Sequence, residues 1–162
     1  MVKLKQTLTL TPSVEEGPFY TTGSPRRKKI ALPGTPGKKL ILSGRVLNTI
    51  GNPVAHAWLD FWHADSEGVY DNQGFNLRGH QYSDEAGRYS LETIRPRFYL
   101  SRAPHIHAKV RAAENAPLLT TQLYFPGEKL NKTDDLFEPG TVMEVKDTPD
   151  GQQANFDFVV EV

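Results

Sequence analysis

The chain has 162 residues, with 19 basic and 19 acidic side chains and a formal net charge of +0. That length fits one domain, and a domain of roughly 150 residues buries about 68–70% of its unfolded surface without covalent staples. A cysteine count of 0 excludes disulfides, iron–sulfur clusters and thiolate zinc sites, and the charge balance gives no electrostatic case for nucleic acid or membrane partners.

No apolar run approaches the roughly 20 residues of a membrane span. Met1 to Thr7 lacks the apolar core and small-residue cleavage site of a leader peptide, so a cytoplasmic location is expected, with a processed secreted chain the alternative. The stretch to Lys38 is irregular, because Pro12, Gly17-Pro18, Pro25, Pro33-Gly34 and Pro36-Gly37 interrupt any helical period. Residues 1–38 are therefore expected to form an arm packed on the same domain, since Val14, Phe19, Tyr20, Ile30 and Leu32 need cover. Residues 39–162 form the body.

Strand signals follow in order. Leu40 to Leu47 is the first, closed by a turn at Ile50-Gly51-Asn52-Pro53. Val54 to Trp62 alternates: Ala55, Ala57, Leu59 and Phe61 face one way, His56, Trp58, Asp60 and Trp62 the other. Asp84-Glu85-Ala86-Gly87 turns into Arg88 to Ile94. His105 to Ala112, Leu118 to Phe125, Val142 to Val145 and Asn155 to Val162 complete the set. Short strands punctuated by turns, with no long amphipathic helix and no repeat, predict an all-β fold. Its form is an antiparallel β-sandwich of the prealbumin or immunoglobulin-like kind, carrying an irregular N-terminal arm.

The chemistry concentrates in Arg102-Ala103-Pro104-His105-Ile106-His107. Histidines at i and i+2 on a strand share a face, so His105 and His107 can hold one ion together. Alone, His-x-His is more often a polar strand face than a metal site. Tyr99 and the Gly68-Val69-Tyr70 turn offer two phenols, each more often structural when taken singly. A phenol titrates near pH 10 and becomes a phenolate at neutral pH only beside strong positive charge. Two imidazoles with two phenolates suit a hard, highly charged ion, and ferric iron is the natural candidate. Histidines outside this motif, His56, His63 and His80, read as surface or hydrogen-bonded residues. The run Arg26-Arg27-Lys28-Lys29 reads as a solvated patch.

In order along the chain stand Glu16-Gly17-Pro18-Phe19-Tyr20, Leu42-Ser43-Gly44-Arg45-Val46 and Leu59-Asp60-Phe61-Trp62-His63-Ala64-Asp65. Gly68-Val69-Tyr70, Gly87-Arg88-Tyr89, Tyr99, Arg102, His105-Ile106-His107 and Thr121-Gln122-Leu123-Tyr124-Phe125 follow. This series resembles the intradiol ring-cleavage dioxygenases, the catechol, hydroxyquinol and protocatechuate enzymes. The resemblance implies a non-haem Fe(III) site ligated by Tyr70, Tyr99, His105 and His107. It implies that Arg102 lies against the substrate, that Gln122 sits close to the iron, and that Gly17, Pro18 and Tyr20 wall the pocket. For Gln122, a strand residue satisfying backbone groups is an equal reading. The implied reaction joins both atoms of O2 to a catechol-type diol, cleaves the bond between the hydroxyl-bearing carbons and releases a muconate-type diacid. Tyr99 is the better candidate for the ligand that leaves and acts as internal base.

Three departures bear on specificity: His63 stands where the family more often has Gln, Ala103-Pro104 inverts the commoner order, and the segment from Tyr99 to His105 is short. A helical N-terminal dimerisation segment is not seen, which places the sequence nearer the single-domain, protocatechuate-like branch; a homo-oligomer is compatible with it. Two rival readings stand beside this one. A zinc or copper enzyme could use His105, His107 and a third His, and a non-catalytic transthyretin-like sandwich could bind a ligand through its aromatics.

Overall fold

The computed structural model describes residues 7–162. Residues 1–6, which open the expected arm and carry most of the stretch read for a leader, lie outside the described residues. In chain order the strands are β1 (Lys39–Leu47), β2 (Trp58–Trp62), β3 (Arg78–Tyr82), β4 (Arg88–Ile94), β5 (His105–Arg111), β6 (Leu119–Tyr124), β7 (Glu144–Thr148), β8 (Gly151–Asn155) and β9 (Phe158–Val159). One sheet runs β3-β2-β5-β6 and is antiparallel throughout. The other runs β4-β1-β8-β7, with β9 against the far end of β1. It is mixed, because β8 and β9 lie parallel to β1. The expected β-sandwich is present, with this departure from pure antiparallel pairing. Among the described residues no helix is long and apolar enough to cross a membrane.

The core lies between the sheets. Leu40 and Leu42 of β1, Leu59 and Phe61 of β2, Leu91 of β4 and Ile106, Ala108 and Val110 of β5 are all fully buried there. Alternation does this: each strand sends every second side chain inward. The run expected as a strand from Val54 forms one only from Trp58. Residues before it turn, and His56 takes a left-handed backbone (φ 58°). Two strands were not expected. β3 and β8 are nearly all polar, so no hydrophobic alternation marked them.

The arm explains why strand β5 is buried on both faces. Its outward residues His105, His107 and Lys109 are only 4, 3 and 7% exposed. Val14 N–H donates to Thr120 O, Arg27 N–H to His80 O and His80 N–H to Pro25 O, while Ile30 N–H reaches Glu92 O. These backbone bonds stitch the described part of the arm from β6 across to β3 and β4 and roof the outer face of the β3-β2-β5-β6 sheet. The polar groups beneath that roof need specific partners.

Candidate metal centre

β5 delivers the two imidazoles to one face, and Pro104 fixes the backbone just before them. His105 Nδ1–H donates to Ala103 O at 2.6 Å, which leaves its Nε2 as a bare acceptor. Tyr70 arrives from the loop after Gly68. Gly68 has φ +80°, and a Cβ there would stand 2.4 Å from Phe98 O. Only glycine permits that approach. It locks the Tyr70 turn against the Tyr99 segment and brings the two phenol rings edge to face at 5.7 Å.

Three donor atoms then converge. Tyr70 Oη lies 2.9 Å from His107 Nε2 and 3.2 Å from His105 Nε2, and the two Nε2 atoms are 3.0 Å apart. Ligands about 2.0–2.2 Å from a shared ion stand roughly 3 Å from one another at near-right angles. Protons alone do not satisfy this triangle. If His107 carries its proton on Nε2, its Nδ1 is a buried acceptor without a partner; if on Nδ1, that N–H is the orphan and two bare Nε2 lone pairs face each other. A cation at the focus uses all three lone pairs.

The electrostatics agree. Burial, with help from Arg102, holds His105 down to about 4, and burial with His105 and Arg102 holds His107 well below its ordinary range. Both imidazoles are therefore neutral and ready to ligate. Burial pushes the Tyr70 phenol up, against the opposing pull of Arg102 and Arg78. A phenolate there needs a strong positive charge at the focus, as a trivalent ion would supply. The residues present fit ferric iron.

Tyr99 is set differently. Its ring packs on Tyr70 and Phe19, yet among the described residues its hydroxyl makes no hydrogen bond. Gly17 passes over His107, where an added Cβ would be 3.6 Å from Cε1. Pro18 is exposed beside it. Tyr20 packs tilted against Trp62 at 4.7 Å, and Trp62 itself stacks flat on His107 at 4.6 Å. The Tyr20 hydroxyl turns away, donating to Asp60 at 2.8 Å. The arm residue that reaches both phenols is instead Phe19, stacked on Tyr70 at 4.6 Å. Its carbonyl accepts from Arg78 Nη1, whose Nε donates to Asp71 O beside Tyr70.

On β6, Tyr124 and Gln122 stand opposite His105 and His107 in register and share their face. Gln122 Oε1 accepts from Arg102 Nη2 at 2.5 Å and from Tyr124 Oη at 2.8 Å, while its Nε2 donates to Glu15 O. Gln122 thus spans the guanidinium and the arm. Burial pushes the Tyr124 phenol up to about 12. Arg102 Nε is held by the Asp134 carboxylate at 2.9 and 3.0 Å.

The other histidines lie apart. His63 is fixed between Ala64 O and Thr93 Oγ1, His80 is bonded to Ser24, and His56 pairs with Glu85 at the surface. Among the described residues no three His, Cys, Asp or Glu side chains converge, so the third histidine of a zinc or copper site is not found. The basic run is split: Arg26, Lys28 and Lys29 are exposed, but the Arg27 guanidinium is bound by the carbonyls of Phe75 and Arg78. Asp134, Arg78 and Tyr124 escaped the sequence reading as members of the site. For Tyr124 a signal existed, since it lies two residues from Gln122 on a strand that pairs with His-x-His. Asp134 sits in an irregular segment and had none.

A family model described as dioxygenase matches residues 15–161. The chain is 32% identical over 148 residues to the hydroxyquinol 1,2-dioxygenase of Rhizobium sp., covering 75% of this chain and 50% of that one. It is 31% identical over 147 residues to the catechol 1,2-dioxygenase of Acinetobacter baylyi, covering 73% and 47%. The chain therefore spans about half the length of these curated relatives. Among solved structures, it is similar to the dioxygenase domain of a dioxygenase carbohydrate-binding protein fusion from Streptomyces sp. SirexAA-E. There the TM-score is 0.92 at 44% identity, over 95% of this chain and 99% of that one. The 3-chlorocatechol 1,2-dioxygenase of Rhodococcus opacus superposes at a TM-score of 0.85 with 26% identity, over 93% and 72%.

Proposed function

The chain belongs to the intradiol ring-cleavage dioxygenase family, and on that premise we propose that it is a non-haem ferric-iron enzyme. Its reaction joins O2 to a catechol-type diol and cleaves the bond between the two hydroxyl-bearing carbons, giving a muconate-type diacid. The observation that carries this reading is the convergence of Tyr70 Oη, His105 Nε2 and His107 Nε2 on one point.

Tyr70, His105 and His107 would hold the iron, and Tyr99 would complete the set. An iron held by these residues would supply the Lewis acidity that lowers the pKa of the two diol hydroxyls and prepares the ring for O2. The two tyrosines divide their work according to their surroundings. Tyr70 is clasped between both imidazoles and would remain a ligand throughout. Among the described residues the Tyr99 hydroxyl has no hydrogen-bond partner, so its oxygen would be the one free to accept a diol proton. Arg102 has Nε and Nη2 committed, and Nη1 is the nitrogen it offers to the ring and to negative charge developing on it. Gly17 lies over His107, and Phe19 and Trp62 would form aromatic walls that keep water from the site.

The test is catechol turnover under isotopic dioxygen. Two labelled oxygen atoms in a single ring-opened diacid support the reading. One labelled atom, or a product cut outside the diol, defeats it.

A further inference from the structure

Arg102 owes its direction to a residue 32 positions away. Asp134 lies in the irregular stretch after the 3-10 turn at Lys129–Lys132, and its side chain is 0% exposed while that of Arg102 is 21% exposed. Both carboxylate oxygens face Arg102 Nε, at 3.0 and 2.9 Å. One of them also accepts Ala103 N–H at 2.8 Å, and the other accepts Leu136 N–H at 2.9 Å. The carboxylate is therefore fully engaged and has no freedom to turn.

Two consequences meet at the site. The guanidinium plane is fixed at three points: Asp134 on Nε, and Gln122 Oε1 with Tyr124 Oη on Nη2. Among the described residues Nη1 alone has no protein partner. The same carboxylate pins the Ala103 peptide by its N–H, and the carbonyl of Ala103 receives His105 Nδ1–H. A partner one bond removed from a metal-ligating imidazole sets its tautomer and tilt.

We propose that Asp134 is a positioning residue for ring cleavage, acting through Arg102. It holds the guanidinium so that Nη1 alone meets the substrate, and its effect on the rate runs through that guanidinium. This rests on the dioxygenase reading above. A misplacement of about 1 Å remote from the chemistry can cost on the order of 100-fold in rate, so the expected loss is of that size.

The experiment is a double-mutant cycle on iron-loaded protein, with Asp134→Ala, Asp134→Asn, Arg102→Ala and the two combinations. Catechol kcat is expressed per bound iron. Either single Asp134 variant should lower that kcat by about 100-fold, and the combination with Arg102→Ala should fall no further than Arg102→Ala alone. A per-iron kcat within about threefold of wild type, or losses that multiply in the double variant, overturns the proposal. Asp134→Asn keeps the side-chain volume and serves if Asp134→Ala does not fold. A readout free of turnover is hydrogen exchange at Arg102 Nε by NMR, in protein loaded with gallium(III) in place of iron. Slow exchange in wild type and fast exchange in Asp134→Asn supports the clamp; equal rates overturn it. If wild type opens no catechol, the dioxygenase reading has failed, and the exchange measurement still reports on the clamp.

Discussion

The two faces of β5 are made from the same seven residues and behave as two different materials. Ile106, Ala108 and Val110 enter the shared apolar core, where any side chain of the right volume would satisfy its neighbours. His105, His107 and Lys109 lie on the other face, equally hidden, under the arm. There each of the three side chains has at least one named partner: Ala103 O for His105, Tyr70 Oη for His107, and Glu16 with Thr120 for Lys109. Burial alone does not separate core from site in this protein. What separates them is whether the buried atoms need directional partners, and His107 Nδ1 and Trp62 Nε1 show that the site face still has unmet demand.

Substitutions on the two faces should fail in different ways. The largest effect belongs to His105→Ala. Loss of a partner one shell out costs about 10–100-fold in metal affinity or activity, so loss of the ligand itself should cost at least about 100-fold in both. The apolar face should stay folded. Iron analysis with thermal melting checks this, and retained iron with retained turnover breaks the ligand assignment. Ile106→Ala, one residue along, should do the reverse. It opens a cavity in the core at a cost of about 2–5 kcal/mol, while the protein that remains folded keeps its iron and its per-iron kcat. Urea unfolding with metal analysis tests it.

A third prediction concerns pH. His63 is buried, its imidazole held down to about 4 chiefly by desolvation, against the opposing pull of the Ala64 carbonyl and Asp65 and with a smaller push from Arg78. An unfolded histidine titrates near 6.5. As pH falls from about 6.5 to about 4 the unfolded chain takes up a proton that the native state refuses, so stability drops with falling pH across that window. One such group contributes on the order of 1.4 kcal/mol per pH unit within it. His63→Gln should flatten the slope by about that amount in urea titrations of the metal-free protein; an unchanged slope contradicts the assignment. The smallest effect is expected of Tyr20→Phe. It removes the bond to Asp60, worth about 1 kcal/mol, and leaves the ring on Trp62. A modest loss of stability with per-iron kcat kept would separate arm anchoring from chemistry.

The sequence made parts of this legible for physical reasons. His105 and His107 were readable as partners because strand periodicity is fixed, and the Gly68-Val69-Tyr70 turn because a left-handed backbone demands glycine. β3 and β8 were not readable. Arg78 to Tyr82 owes its pairing to an arm that covers polar side chains, and Gly151 to Asn155 to a parallel place beside β1. Tyr20 illustrates a subtler limit: its place in the pocket segment was visible, but the direction of its hydroxyl depended on Asp60, 40 residues on. Asp134 marks the boundary most clearly, since its meaning exists only once the chain has folded back onto Arg102.

The most direct test of the central claim is a visible spectrum of the purified, iron-loaded protein, recorded before and after anaerobic addition of catechol. The account predicts a burgundy ferric-tyrosinate band that broadens and moves to longer wavelength when catechol is added. A protein that binds no iron, or an iron-loaded protein without that band, would contradict the convergence of Tyr70, His105 and His107 on a single ferric ion.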